Sequence, residues 1–193
     1  MIWLWGQGFS PKFPTYFEKY GLRGGVITAV DLLKGIARYA GLDVIRVPGA
    51  TGYFDTNYEG KAEYAVNALK TRDFVVVHIE STDEAGHMGD AQLKVRAIED
   101  VDRRVLGTLR RRLEEEYDAF RVLVVPDHYT CVESRTHHSD PVPFLIYDSA
   151  HELKGPEKFS EKTAAQSKIV VSEGHYLMES FLRSEAFAAG KAA

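Results

Sequence analysis

Asp83, His87, Asp127, His128 and His137 are the residues whose types and spacing offer chemistry. They fall in Thr82-Asp83-Glu84-Ala85-Gly86-His87, Pro126-Asp127-His128-Tyr129-Thr130 and Arg135-Thr136-His137-His138-Ser139-Asp140-Pro141. Two carboxylates and three imidazoles are donors that hard-to-borderline divalent cations take. Such a set points to metal-assisted phosphoryl chemistry. Asp83 and His87 are close enough to share one ion from a glycine-containing loop. Asp127 and His128 are adjacent, and adjacent side chains in an extended loop diverge. They serve one ion only across a bend, or else two neighbouring ions. Ligation needs ionised Asp and neutral His, which neutral pH permits. A lone Asp-x-x-x-His after a strand is most simply a helix cap or a solvated loop. Two such pairs and a third His, all at strand ends, favour metal.

The remaining candidates are weaker. His78 sits in an apolar run and reads as a hydrogen-bonded core residue. His138 alternates with His137, so only one of the two need face a metal. His151 and His175 have no sequence partners, and Cys131 reads as a bystander thiol. Lys34 follows a strand and can reach a phosphate as a point charge; a solvated helix lysine is an equal alternative. Trp5-Gly6-Gln7-Gly8 reads as a tight turn, and the loop from Gly49 to Asn57 as a site wall. Neither a GxxxxGK[ST] loop nor a GxGxxG turn occurs.

These residues need strands to place them. Val26 to Ala29, Val44 to Val47, Phe74 to Ile79, Val122 to Val125 and Val142 to Tyr147 read as strands. The third and fourth are unalternating apolar runs, which predicts cover on both faces. Between them, helices are expected from Asp31 to near Gly41, from Ala62 to Leu69 and from Asp90 to Tyr117, with a terminal one from Ser172 to Arg183. In the longest, Val95, Ile98, Val101, Val105, Leu109 and Leu113 mark one face. Residues 1–25 read as irregular with one short strand, Ile2 to Trp5, and the tail from Glu185 to Gly190 as frayed. Strands alternating with helices predict an α/β three-layer sandwich with a mostly parallel sheet, in one domain spanning residues 1–193. In such sheets chemistry lies beyond the carboxyl ends of the strands, where Asp83 and Asp127 fall.

Composition bounds the function. The 193 residues are 45% hydrophobic and 27% charged, as in ordinary globular proteins. A net charge of −4 gives no basic footprint for nucleic acid. No apolar run reaches membrane-spanning length, and the start lacks the pattern of a signal peptide. The single cysteine cannot form an internal disulfide. A cytoplasmic protein is the expectation.

Seven stretches carry a family resemblance: MIWLWGQG, VITAVDLLKGIARYAGL, VPGATGYFDTNYEGKAEYAV, VVVHIESTDEAGHMGD, KVRAIEDVDRRV, VVPDHYT and RTHHSDPVPFLIYD. In this order they resemble the archaeal-type, cofactor-independent (2,3-bisphosphoglycerate-independent) phosphoglycerate mutases of the alkaline phosphatase superfamily. The resemblance runs from residue 1 to about 182 and implies an alkaline-phosphatase-like fold. It implies interconversion of 3-phosphoglycerate and 2-phosphoglycerate through a phosphoserine, with two divalent ions, commonly manganese, with magnesium, zinc or cobalt as alternatives. By that resemblance Asp83, His87 and His137 hold one ion. Asp127 and His128 hold the other, together with an Asp and the nucleophilic Ser of the family's N-terminal part. Lys34 matches the family's active-site lysine.

The chain departs from the family pattern. The N-terminal part, with its ligand Asp, its Ser and the inserted substrate-binding domain, has no counterpart here. His138 stands where Thr is common, and Cys131 where Pro is common. The expectation is therefore the C-terminal, metal-binding portion of a mutase, inactive alone, with a homo-oligomer or a complementing N-terminal half as partner. Two alternatives stay open: a non-catalytic metal-binding or interaction module, and a metal-dependent phosphatase using metal-bound water.

Overall fold

The computed structural model describes residues 8–183. The chain divides into two compact units, Met1–Glu115 and Glu116–Ala193. The expected strand Ile2 to Trp5, the turn at Trp5 to Gly8 for its first three residues, and the tail from Glu185 to Gly190 lie outside the described residues.

The first unit is built on a parallel three-stranded sheet of order β2-β1-β3, with β1 Gly24–Ile27, β2 Asp43–Val44 and β3 Phe74–Val77. β1 is the central strand and all four of its residues are buried. It starts with two glycines for a packing reason. A Cβ on Gly24 would lie 2.2 Å from Cζ of Phe74, and one on Gly25 would lie 2.6 Å from Cδ1 of Ile45. Neighbouring side chains fold across the backbone where no side chain stands.

The helices follow in order: α1 Tyr16–Tyr20, α2 Asp31–Tyr39, α3 Tyr58–Leu69, α4 Ser81–Met88, α5 Ala91–Asp100 and α6 Gly107–Glu116. α1 lies where the sequence reads as irregular. Its signal is a capping box: Thr15 Oγ1 accepts from Glu18 N–H, and the Glu18 carboxylate accepts from Thr15 N–H. α3 begins four residues earlier than expected, because Asn57 caps it by accepting from the Gly60 N–H.

A π-helical stretch, Val101–Leu106, joins α5 to α6. The apolar stripe explains it. From Val101 to Leu113 the stripe advances in steps of four, and each such step overshoots an α-helical turn by about 40°. A wider π turn absorbs part of that drift, and it keeps Val105, Leu109 and Leu113 turned inward. The start of the stripe departs from expectation: Val95 and Ile98 are exposed, and Ala97 is the residue that α5 buries. Tyr58, Ala62 and Val105 form one core cluster with Val77, Ile79, Val101 and Leu109. Ile27, Val47 and Ala65 form another, sharing Val77 and Leu109.

The second unit contains β4 Arg121–Val124, β5 Tyr129–Cys131, β6 Thr136–His138, β7 Leu145–Asp148, α7 Glu161–Ser167 and α8 His175–Leu182. Its pairings are antiparallel: β4 with β7, and β5 with β6. The parallel character therefore resides in the first unit. β4 is half-buried rather than covered on both faces, and β7 is its only strand partner among the described residues. β7 starts at Leu145 rather than Val142, because Pro141 and Pro143 lack the N–H a ladder needs. α7 has no apolar periodicity to announce it; Ser160 and Thr163 cap it reciprocally. No helix among the described residues is long and apolar enough to cross a membrane.

Candidate metal centre

Asp83 and His87 stand on α4, not in the loop that the glycine at 86 predicts. The helix starts after a three-residue elbow, His78 to Glu80, beyond the carboxyl end of β3, and it stops before Gly89, whose φ of 72° is left-handed. Gly86 lies inside it and is buried. The helical frame brings the two side chains together, because residues i and i+4 share a face. Oδ2 of Asp83 lies 3.3 Å from Nε2 of His87, and both side chains are partly exposed. Two donors each about 2.1 Å from one ion lie about 3.0–3.4 Å apart at octahedral to tetrahedral angles. The pair fits a single divalent cation.

The start of α4 is held from α3. The Tyr58 hydroxyl donates to Ser81 Oγ at 2.8 Å, and both residues are fully buried. Lys61, with 1% of its surface exposed, donates to the carbonyls of His78 at 3.2 Å and Thr51 at 3.4 Å. Burial pushes the Lys61 ammonium pKa down, opposed by the charge of Glu80. Burial likewise raises the Tyr58 phenol. Sequence reasoning missed both. The available signal was a lysine flanked by buried-type small residues in an otherwise amphipathic helix.

In the second unit, Asp127 and His128 follow β4. Their side chains do not diverge: Asp127 Oδ2 lies 3.4 Å from His128 Nε2. The bend comes from Asp127 Oδ1, which accepts from the His128 backbone N–H at 3.1 Å. His128 Nδ1 lies 3.3 Å from the Tyr129 carbonyl and 3.3 Å from the buried Thr130 hydroxyl. A proton on Nδ1 donated to that carbonyl leaves the Nε2 lone pair free to bind, the usual way a ligand imidazole is oriented.

His137 and His138 occupy β6, so they point to opposite faces. His137 pairs with Thr130 across the hairpin, and its ring stacks on that of His128 with centroids 3.8 Å apart. His138 turns away: its Nε2 lies 2.7 Å from Ser134 Oγ, while Asp140 is 3.8 Å from Nδ1, beyond hydrogen-bond reach. The hairpin turn closes with Arg135 at φ 55°.

Other residues separate from these groups. Lys34, on α2, donates to Ala29 O at 3.0 Å and pairs with Asp31 at 2.8 Å. His78 lies just past β3 with Nδ1 3.2 Å from Thr28 Oγ1, in line with a hydrogen-bonded interior role. His151 sits beside Asp148, and His175 beside Glu173, at exposed positions. Cys131 is a free, half-buried thiol.

Against this geometry, a family model described as Metalloenzyme superfamily matches residues 1–178. The chain belongs to the metalloenzyme superfamily. The relatives it resembles within that superfamily are named 2,3-bisphosphoglycerate-independent phosphoglycerate mutases. One, from Methanosarcina acetivorans, is 55% identical over 163 residues, covering 84% of this chain and 41% of the relative. Another, from Methanosarcina mazei, is 47% identical over 184 residues, covering 95% of this chain and 46% of the relative. The chain thus spans less than half the length of these curated relatives, matching their C-terminal part. Among solved structures, the PH0037 protein from Pyrococcus horikoshii superposes with a TM-score of 0.80 at 33% identity, over 95% of this chain and 55% of that one. The cofactor-independent phosphoglycerate mutase from Thermoplasma acidophilum gives 0.68 at 27% identity, over 91% and 40%. The alkaline-phosphatase-like α/β fold expected of the sequence is the fold of this superfamily member. The carboxylate and imidazole donors of α4 and of the segment after β4 fit the metal that the superfamily's name implies.

Proposed function

We propose that this chain is the metal-binding, C-terminal portion of a phosphoglycerate mutase that interconverts 3-phosphoglycerate and 2-phosphoglycerate. The observation that carries the reading is the Asp83/His87 pair, set at ligand spacing on α4 in a superfamily of metalloenzymes. The relatives' names supply the reaction and the substrate. Residues 1–193 are read as one portion of a larger metal-dependent domain, since one family model runs across both units.

In this reading Asp83 and His87 hold one divalent ion, with His137 as its further ligand on the strength of the family resemblance. Asp127 and His128 hold a second. Manganese is the proposed metal at both. A bound divalent ion supplies Lewis-acid polarisation of phosphoryl oxygens. The chain's own groups have narrower tasks. Asp83 and Asp127 neutralise cationic charge, and His87 and His128 fix donor direction. Lys34 releases Asp31 and offers its ammonium to a phosphate oxygen. The phosphoserine step draws its Ser from sequence matching the N-terminal part of the relatives, which makes such a segment the proposed partner. A cytoplasmic location is proposed with it, in keeping with a single unpaired thiol.

The test has two arms. Titration of the chain with Mn2+ should show two binding events, of which Asp83→Ala removes the one at the Asp83/His87 pair. A coupled assay with 3-phosphoglycerate should show no turnover from the chain alone, and turnover when a polypeptide matching the relatives' N-terminal part is added. Turnover by the isolated chain would refute the assignment of the nucleophile to another segment.

A further inference from the structure

We propose that Tyr58 and Lys61 are positioning residues for the Asp83/His87 pair, acting by clamping the elbow between β3 and α4; the inference rests on the metal reading of that pair. The two side chains lie three residues apart on one face of α3. Each reaches a different side of the same elbow. Lys61 holds the carbonyl of His78, the first residue past β3. Tyr58 holds the hydroxyl of Ser81, the first residue of α4. The elbow between those two points carries Glu80, whose carbonyl accepts the N–H of Asp83 at 2.9 Å and of Glu84 at 3.1 Å. Asp83 is therefore two residues from one clamp point, and its own backbone bond ends inside the clamp.

The helix needs this support. Glu80 occupies the N-cap position of α4 without a side-chain cap bond, and an eight-residue helix is marginal by itself. No side-chain cap from Glu80 serves its first turn, where the Asp83 N–H turns to the Glu80 carbonyl. Two polar side chains sunk into the core anchor the approach to the helix, through the His78 carbonyl and the Ser81 hydroxyl. A buried ammonium is costly in an apolar interior. Hydrophobic residues of similar volume often replace buried charges at no loss of stability. Stability alone gives weak reason for a lysine at this place, whereas a lysine with several N–H donors suits a joint between chain segments. Lys61 also holds the carbonyl of Thr51, and so ties the elbow to the loop from Pro48 to Asn57. That loop is itself ordered by Thr51 N–H to Thr56 Oγ1, by Thr51 Oγ1 to Asp55, and by Asn57 Nδ2 to the Pro48 carbonyl. Gly52 lies against the Glu80 carboxylate: a Cβ there would be 2.6 Å from Oε2. The loop, the elbow and α3 form one assembly, with the ligand helix at its exit.

The test uses the chain as it stands, with Tyr58→Phe, Lys61→Met and, as a core control on α6, Leu113→Ala. Mn2+ affinity is measured by titration calorimetry, backbone exchange at residues 79–84 by mass spectrometry without metal, and stability by urea unfolding. The expected result is faster exchange across the elbow in both clamp variants, and Mn2+ affinity weakened about tenfold, the scale typical of groups that orient ligands. Lys61→Met should do this while keeping or gaining global stability, and Leu113→Ala should lose stability with unchanged affinity. A purely structural role predicts instead that affinity follows stability across the three variants, and that result overturns the proposal. So does unchanged exchange at residues 79–84. Should Tyr58→Phe fail to fold, Ser81→Ala deletes the same hydrogen bond from its other end. Wild-type chain that binds Mn2+ no better than Asp83→Ala would refute the metal reading itself, and is recognised by that variant rather than by the clamp variants.

Discussion

Asp83 Oδ2 and His87 Nε2 face each other at 3.3 Å across one turn of α4. The spacing matches two ligands of one ion, and the helix fixes it before any ion arrives. Deleting either donor should therefore cost more than the roughly 10–100-fold that changes in supporting groups cost. Asp83→Asn is the informative variant, because it keeps the size and the partial hydrogen bonding but removes the charge. Mn2+ titration should show one of two binding events lost in Asp83→Asn and in His87→Ala, with urea midpoints near wild type since both side chains are partly exposed. Retained affinity in Asp83→Asn would remove this carboxylate from the ligand set.

Thr130 offers a subtler lever. It is a buried polar residue on β5, and its hydroxyl lies 3.3 Å from His128 Nδ1. Thr130→Val keeps the shape and removes the hydroxyl. The Tyr129 carbonyl remains at 3.3 Å as a second partner, so the ring keeps its tautomer but loses one restraint. The expected effect is a Mn2+ affinity loss of about tenfold at the Asp127/His128 pair, toward the low end for orienting groups. The comparison to make is with His138→Ala on the opposite face of β6, which should leave Mn2+ affinity unchanged.

Gly24→Ala probes the sheet whose strand β3 leads into α4. The new methyl would fall 2.2 Å from Cζ of Phe74, with the ring's Cε atoms at 2.5 and 2.6 Å. Phe74 is buried and begins β3, so its ring has little room to withdraw. Overpacking of this kind costs about 1–3 kcal/mol, occasionally more. Urea unfolding should register that loss. Pairing the change with Phe74→Leu should recover part of it, since the two residues are direct neighbours across the β1–β3 ladder.

What the sequence could and could not show follows from the range of the forces involved. The strand from Phe74 to Val77 was legible as an apolar run, but it ends two residues before the expected Ile79 and buries only Phe74 while Val76 is exposed, so the run did not state its own burial. The candidate donors Asp83, His87, Asp127 and His128 were legible as a cluster because Asp and His stand visibly after such runs. The helical state of Asp83 and His87 was not, since Gly86 argues locally against a helix and only the buried contacts of Ser81, Ala85 and Gly86 override it. The bend at Asp127 was hidden in a single side-chain to backbone bond. The π turn at Val101–Leu106 was written in the four-residue steps of the stripe, although those steps read at first as an ordinary helix. Tyr58 and Lys61 were invisible as a pair, because their partners Ser81 and His78 lie 17 or more residues away.

The Glu59–Arg104 pair predicts an acid limb in stability. Arg104 donates through Nε to Oε1 at 2.7 Å and through Nη2 to Oε2 at 2.9 Å, a two-pronged bridge from α3 to the π stretch. Its guanidinium also lies 4.6 Å from the centre of the Tyr58 ring. The hydrogen bonds from Arg104 hold the Glu59 carboxyl below its ordinary value of 4.5, and the same bonds raise Arg104. A carboxyl with a depressed pKa stabilises the fold above its unfolded value and loses that contribution as pH falls through the folded one. Half of the Glu59 side chain is exposed, so solvent screening limits the pair to about 0.2–1 kcal/mol. Arg104→Ala should therefore cost about 0.7–2 kcal/mol at pH 7 once about 0.5–1 kcal/mol of ring contact is added. The difference from wild type should narrow as pH falls below 4.5 and through the depressed folded value of Glu59, leaving the ring contact and the 3.7 Å pair with Asp100. Urea unfolding of both proteins at pH 7 and pH 3 checks this. A gap that stays constant with pH would take the Glu59 pair out of the effect of Arg104→Ala.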